Sequence, residues 1–219
     1  MTRDELERRI LTALNDDPDD PVFWSSAEVQ DLIAEAMEVM AEEVPSLKRT
    51  FLVPRRAGTM LYTLEGVGSQ IMAPYRLWLP DRQERLEAVS LTDLDGRHEE
   101  WMTVSGEPRW WAPVSWDQFV IWPIPAAGGN WIHVDCYVWP DKLQDGQDEP
   151  EFHEADHEGL VLFAEHEGHL KQWDVARGAD LFQQFVQRWG DARYRAQVGQ
   201  VSGRLWQRSA RRQMDDGDY

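Results

Sequence analysis

Cysteine is nearly absent: Cys136 is the single one among 219 residues. One thiol cannot close an intrachain disulfide or build a cysteine-ligated metal cluster. Long hydrophobic runs are also missing, and no stretch approaches the ~18 apolar residues of a membrane-spanning helix. No membrane partner is therefore expected. The opening MTRDELERRI is charged and helical in pattern, unlike a secretory signal, so synthesis in the cytoplasm is expected. Positive charge is scarce. Lys and Arg number 22 against 40 Asp and Glu, a formal net charge of -18. A chain of that sign does not grip nucleic acid by neutralising phosphates. There is no G-x-S-x-G, no phosphate loop and no G-x-G-x-x-G; GVGSQ (66–70) reads as a turn between strands. Internal repeats are absent.

What is present supports a folded protein. With 42% hydrophobic residues the chain can bury a sizeable core, as one large domain or a domain with an insertion. Its charge is uneven. From Arg188 to Gln213 seven arginines face one acid, Asp191, a balance of +6 that leaves -24 on the remainder. A basic tail on an acidic body suits contact between copies or with an acidic neighbour. Twelve tryptophans are many, and some are expected on contact surfaces.

Periodicity divides the chain into three stretches. Thr2 and Glu5 form a capping box, with Leu6, Ile10 and Leu14 following at helical spacing until DDPDDP (16–21) stops the helix. Ser25 and Glu28 form a second box, ahead of a stripe of Val29, Leu32, Ile33, Ala36, Met37, Met40 and Val44, with Phe23 placed as a staple. From about Thr50 the period falls to two. Strands are expected at 50–53, 59–64, 71–79, 86–91, 108–114, 118–124 and 131–139, with AAGGN (126–130) joining an antiparallel pair. In the last strand Ile132, Val134, Cys136 and Val138 face one way, and Trp131, His133, Asp135, Tyr137 and Trp139 the other. Helical spacing returns at 151–170, headed by Pro150, and again after Asp174, where Ala179, Phe182, Phe185, Val186 and Trp189 share a face. The expected fold is α+β: a helical bundle of two N-terminal helices (1–49) and two C-terminal helices (141–198). Into it is inserted an antiparallel β sandwich or barrel (50–140), and a C-terminal arm (199–219) follows.

One stretch invites a catalytic reading. His153-Glu154-Ala155-Asp156-His157 fits H-E-x-x-H, in which two histidines hold zinc and the glutamate activates water. On a helix His153 and His157 lie one turn apart on one face. The extended form of the motif fails, because Leu160 stands in place of its glycine and Phe163 in place of its third histidine. His166 or Glu165 would lie roughly 12–14 Å along the axis from His157, too far to share a metal. The acids at 149, 151, 154 and 156 instead suit a helix N-terminus, and His166 and His169 suit its other end. Phe152, Gly159, Phe163 and Leu170 supply its apolar stripe. A zinc hydrolase using His153, Glu154 and His157 stays as an alternative; no cofactor or metal is expected. Cys136 reads as a core thiol and His98 as a loop residue.

The order of segments resembles that of tailed-phage head–tail adaptor proteins, the connector ring below the portal. The resemblance starts at FWSSAEVQDLIAEAMEVMAEE (23–43) and passes through VPRRAGTMLYTL (53–64), LEAVSLTDLD (86–95) and WMTVSGEPRWW (101–111). It continues with FVIWPIPAAGG (119–129), VDCYVWPDKL (134–143) and LVLFAEHEG (160–168), and covers roughly residues 22–198. It implies a virion structural subunit that is not an enzyme. Such subunits form a homo-oligomeric ring of twelve copies that joins the portal to the next tail or nozzle component. DNA passes through the channel without specific binding. The acidity and the tryptophans exceed the family's pattern. The arm, with Arg204, Leu205, Trp206, Arg208, Arg211 and Arg212, matches no family motif, so its expected role at the portal or subunit interface rests on position and charge. Another tail-completion or tail structural subunit is the nearest alternative. An acidic lumen would repel DNA phosphates, so the acidic body is expected to line or flank the channel and the basic arm to point away from it, toward protein.

Overall fold

The computed structural model describes residues 1–43, 46–68, 70–97 and 100–189, which form an α+β protein. The chain divides into two compact units: Met1–Ser46 with the chain from Pro140 onward, and Leu47–Trp139. No helix among the described residues is long and apolar enough to cross a membrane.

In the helical unit, α1 (Arg3–Ala13) begins as the sequence predicts. Thr2 Oγ1 accepts from the Glu5 N–H, and the Glu5 carboxylate accepts from the Thr2 N–H. The Arg3 and Asp4 N–H groups donate to the Asp148 and Gly146 carbonyls, so the segment that follows β10 satisfies this helix end. Leu6, Ile10 and Leu11 are buried, each worth about 1.5–3 kcal/mol of transfer free energy. The predicted Ser25–Glu28 box opens α2 (Ser26–Glu43). Phe23, expected as the staple, is 57% exposed, whereas Trp24 beside it is buried. Val44 lies outside the described residues. Helix α4 (His157–Lys171) packs on both α1 and α2. Contact with α1 is close at Gly168, where a Cβ would come within 2.6 Å of Leu14 Cδ2. Such proximity explains a glycine inside a helix.

The helix expected over 151–170 starts later. His153 is extended (φ -61°, ψ 141°), Glu154–Asp156 make a 3-10 turn, and α4 begins only at His157. The last described helix, α5 (residues 175–189), follows Asp174 as expected, and the Asp174 carboxylate caps it by accepting from the Arg177 N–H.

In the β unit, β1 (Lys48–Pro54), β10 (Trp131–Val138), β3 (Ile71–Leu79) and β4 (Glu84–Arg85) make one antiparallel sheet in that order. A second sheet runs β2 (Leu61–Thr63), β8 (Gln118–Trp122), β7 (Trp110–Pro113), β5 (Glu87–Ala88). Residues of both sheets enter one core cluster, among them Ile132, Val134 and Cys136 with Tyr62, Phe119 and Ile121. A smaller cluster gathers Leu94, Trp101, Val120 and Trp122, and Trp122 Nε1 donates to the Trp101 carbonyl at 2.8 Å.

Several expectations change here. The described sheets do not close into a barrel. Two short pairs are parallel, β5 with β7 and β6 (Ser105–Gly106) with β9 (Ile124–Pro125). AAGGN does not make a hairpin: its backbone bonds to Arg55, and β8 and β10 lie in different sheets. The strand expected at 86–91 shortens to Glu87–Ala88, because Ser90 and Asp93 cap each other and open α3 (Leu91–Arg97). His98 lies outside the described residues.

Candidate functional site

The HEADH residues have structural roles. His153 Nδ1 accepts from the Ala155 N–H at 3.2 Å. His157 is 2% exposed, with Nε2 3.1 Å from the Phe152 carbonyl and Nδ1 2.9 Å from the Met1 nitrogen. A carbonyl only accepts, so Nε2 carries the proton and the Nδ1 lone pair serves the Met1 nitrogen. Neither nitrogen is left for a metal. Among the described residues no group of three His, Cys, Asp or Glu side chains could hold one. Nothing supports the hydrolase reading. His166 Nδ1 donates to the Gly178 carbonyl at 2.8 Å, and Glu165 lies between His169 (3.8 Å) and Arg177 (3.6 Å). Burial, with the Asp135 carboxylate beside it, pushes the Cys136 thiol up to about 12, so it stays protonated and is no nucleophile at neutral pH. Replacing His157 by alanine orphans the buried Phe152 carbonyl. The variant is expected to unfold in urea with about 1–3 kcal/mol less stability and unchanged metal content. Stoichiometric zinc in the parent, lost from the variant, would contradict this.

The expected interface residues Arg204, Leu205, Trp206, Arg208, Arg211 and Arg212 lie outside the described residues. The helix before them differs from expectation. It buries Leu181, Phe185 and Trp189, and leaves Val175, Phe182 and Val186 42–61% exposed. The single predicted face is therefore two faces. Between α4 and α5, Trp173 sits in the left-handed region (φ 65°) at the position where helices usually end on glycine, and is 90% exposed.

Charge is segregated along the chain. Residues 1–46 and 140–189 carry 25 acids against seven Lys and Arg, a balance of -18; residues 47–139 carry 11 against nine, a balance of -2.

Within the β unit, the face of the first sheet opposite its core holds four cross-strand rows. Pro54 pairs with Trp131, and Leu52 with His133, which pairs with Trp78 and then Arg85. Thr50 pairs with Asp135 and Arg76, and Lys48 with Tyr137. Asp135 is 6% exposed; its carboxylate accepts from Thr50 Oγ1 at 2.6 Å and from Arg76 Nε. Lys48 Nζ lies 5.3 Å and 5.7 Å from the Tyr75 and Tyr137 ring centres, and those rings stack at 4.5 Å. Trp131 and Leu52 are about half exposed. Alternation along 131–139 predicts that Trp131, His133, Asp135 and Tyr137 share a face. It does not reveal the partners from β1 and β3.

No curated protein matches the chain. Residues 1–213 match the family described as SU10 adaptor protein, a family of structural phage adaptors and thus of virion components. The match spans both compact units. The chain belongs to the SU10 adaptor protein family.

Proposed function

We propose that this chain is a subunit of a head–tail adaptor ring, twelve copies joining the portal to the tail or nozzle around a DNA channel. The carrying observation is the family match over residues 1–213. In this reading the helices form a bundle, the two four-stranded sheets form an inserted sandwich, and the arm with Arg204, Trp206, Arg208, Arg211 and Arg212 docks onto the portal or a neighbouring copy. The ring works mechanically, without catalysis or cofactor. The charge distribution supports passage of DNA: an acidic surface at the lumen repels phosphates and releases no counterions to favour sticking. The part suited to line that channel is residues 1–46 and 140–189, with their balance of -18.

The test is to mix the purified chain with rings of its own phage's portal protein and measure the mass of the product. A complex of one portal ring with about twelve copies is expected, lost when 199–219 are deleted. Absence of any complex at micromolar concentration would sink the adaptor reading.

A further inference from the structure

The geometry points to the outer face of the β1–β10–β3–β4 sheet as the surface that receives the acidic helical unit of a second copy of this chain; this rests on the ring proposed above. Three observations carry it.

First, the face is built to be covered. An antiparallel sheet with one face on a core ordinarily shows water a polar face. Here Trp131 and Leu52 are half exposed, His133 and Trp78 share the row of Leu52, and Tyr137, with Tyr75 stacked on it, stands at the other end of the face beside Lys48. Aromatic side chains with arginine are the composition of contact surfaces.

Second, the face is cationic in a chain that is strongly anionic. Lys48, Arg76 and Arg85 stand on these rows with one acid, Asp135, which Arg76 and Thr50 already occupy. Arg76 and Arg85, with Trp78 and Gln83, line an open hollow. Two guanidinium groups beside an indole suit a carboxylate carried on a protein surface.

Third, the complement is supplied by the same chain. The balance of -18 on residues 1–46 and 140–189 makes like-with-like contact between helical units unfavourable. Contact of that unit with the cationic sheet face of another copy is attractive. Two different complementary patches on one subunit make a heterologous interface, the kind that repeats head to tail and closes into a ring.

The test uses the full chain with Lys48→Glu and Arg85→Glu together. Neither residue belongs to the Asp135 knot or to the core. Circular dichroism is expected to match the parent, and the urea midpoint to fall only slightly, by the loss of the Lys48 contact with Tyr75 and Tyr137. Self-assembly, followed by mass in the presence of portal rings, is expected to require at least about tenfold more protein. Parent assembly is expected to weaken as salt rises from about 0.05 to about 0.5 M. Equal assembly of parent and variant would overturn the inference while leaving the adaptor reading intact. So would unchanged assembly with loss of binding to another tail component, which would assign the face to a different acidic partner. Should the variant misfold, salt decides alone: parent assembly that is indifferent to salt overturns the inference. A parent chain that never joins the portal sinks both.

Discussion

Phe119→Ala is expected to cost about 3–5 kcal/mol of unfolding free energy in urea. Phe119 is fully buried in β8, which pairs with β2 on one side and β7 on the other. Its ring stacks on Tyr62 at 5.5 Å, and it belongs to the cluster that both four-stranded sheets enter. Truncation loses the transfer free energy of the ring and leaves a cavity that two hydrogen-bonded neighbouring strands cannot readily collapse to fill. Phe119→Leu fills most of that space and is expected to cost less than half as much. A loss below about 1 kcal/mol for the alanine variant would mean that the site is not packed as described.

Trp24→Ala is the corresponding test of the helical unit, again with an expected loss of about 3–5 kcal/mol. Trp24 is 2% exposed, and Lys171 Nζ at the end of α4 lies 4.5 Å from the centre of its ring. Lys171 also binds the Glu28 carboxylate, holding it down to about 2 together with the Ser25 N–H and hydroxyl. The loop before Trp24 is fixed by Asp16, whose carboxylate accepts from the N–H groups of Val22, Trp24 and Phe23 and is held below the usual range by them. Because both folded carboxylates titrate below their unfolded counterparts, their contribution is present above the ordinary carboxylate range. It is lost as pH falls through the folded values. Trp24 thus joins the loop, α2 and α4. Phe23→Ala, one residue earlier but exposed, is expected to change stability by no more than about 1 kcal/mol. Equal losses for the two variants would support the staple role expected of Phe23.

Local chemistry was the legible part of the fold. Both helix starts with a Ser or Thr and a Glu three residues later appear as read, because a capping box is complete within four residues. The alternation of 131–138 holds for the same reason, and Ile132, Val134, Cys136 and Val138 are all buried. What failed depended on partners distant in sequence. The Ser90–Asp93 box obeys the same rule but sits among apolar residues that read as a strand. AAGGN looks like a hairpin turn, yet Arg55 takes its hydrogen bonds. In α5, periodicity cannot decide between the stripe through Leu181 and Phe185 and the one through Phe182 and Val186; packing chooses the first.

The candidate site was less legible. HEADH has the letters of a zinc motif, but a five-letter pattern does not specify the extended backbone at His153 or the occupied lone pair at His157. The sheet face was half visible. Its β10 residues follow from alternation, whereas Arg76 reaches Asp135 through a register that shifts between Asp135 and Cys136. No sequence period encodes such a shift. The arm residues 204–212 rest on charge and position alone.

The most direct measurement is imaging of the assembled virion by electron cryomicroscopy, with this chain traced in the density. Twelve copies in a ring directly below the portal are expected, with the acidic helical surface toward the DNA channel and the arginines of 204–212 directed at protein. Finding the chain elsewhere in the particle, or finding those arginines projecting into the lumen, would contradict that arrangement.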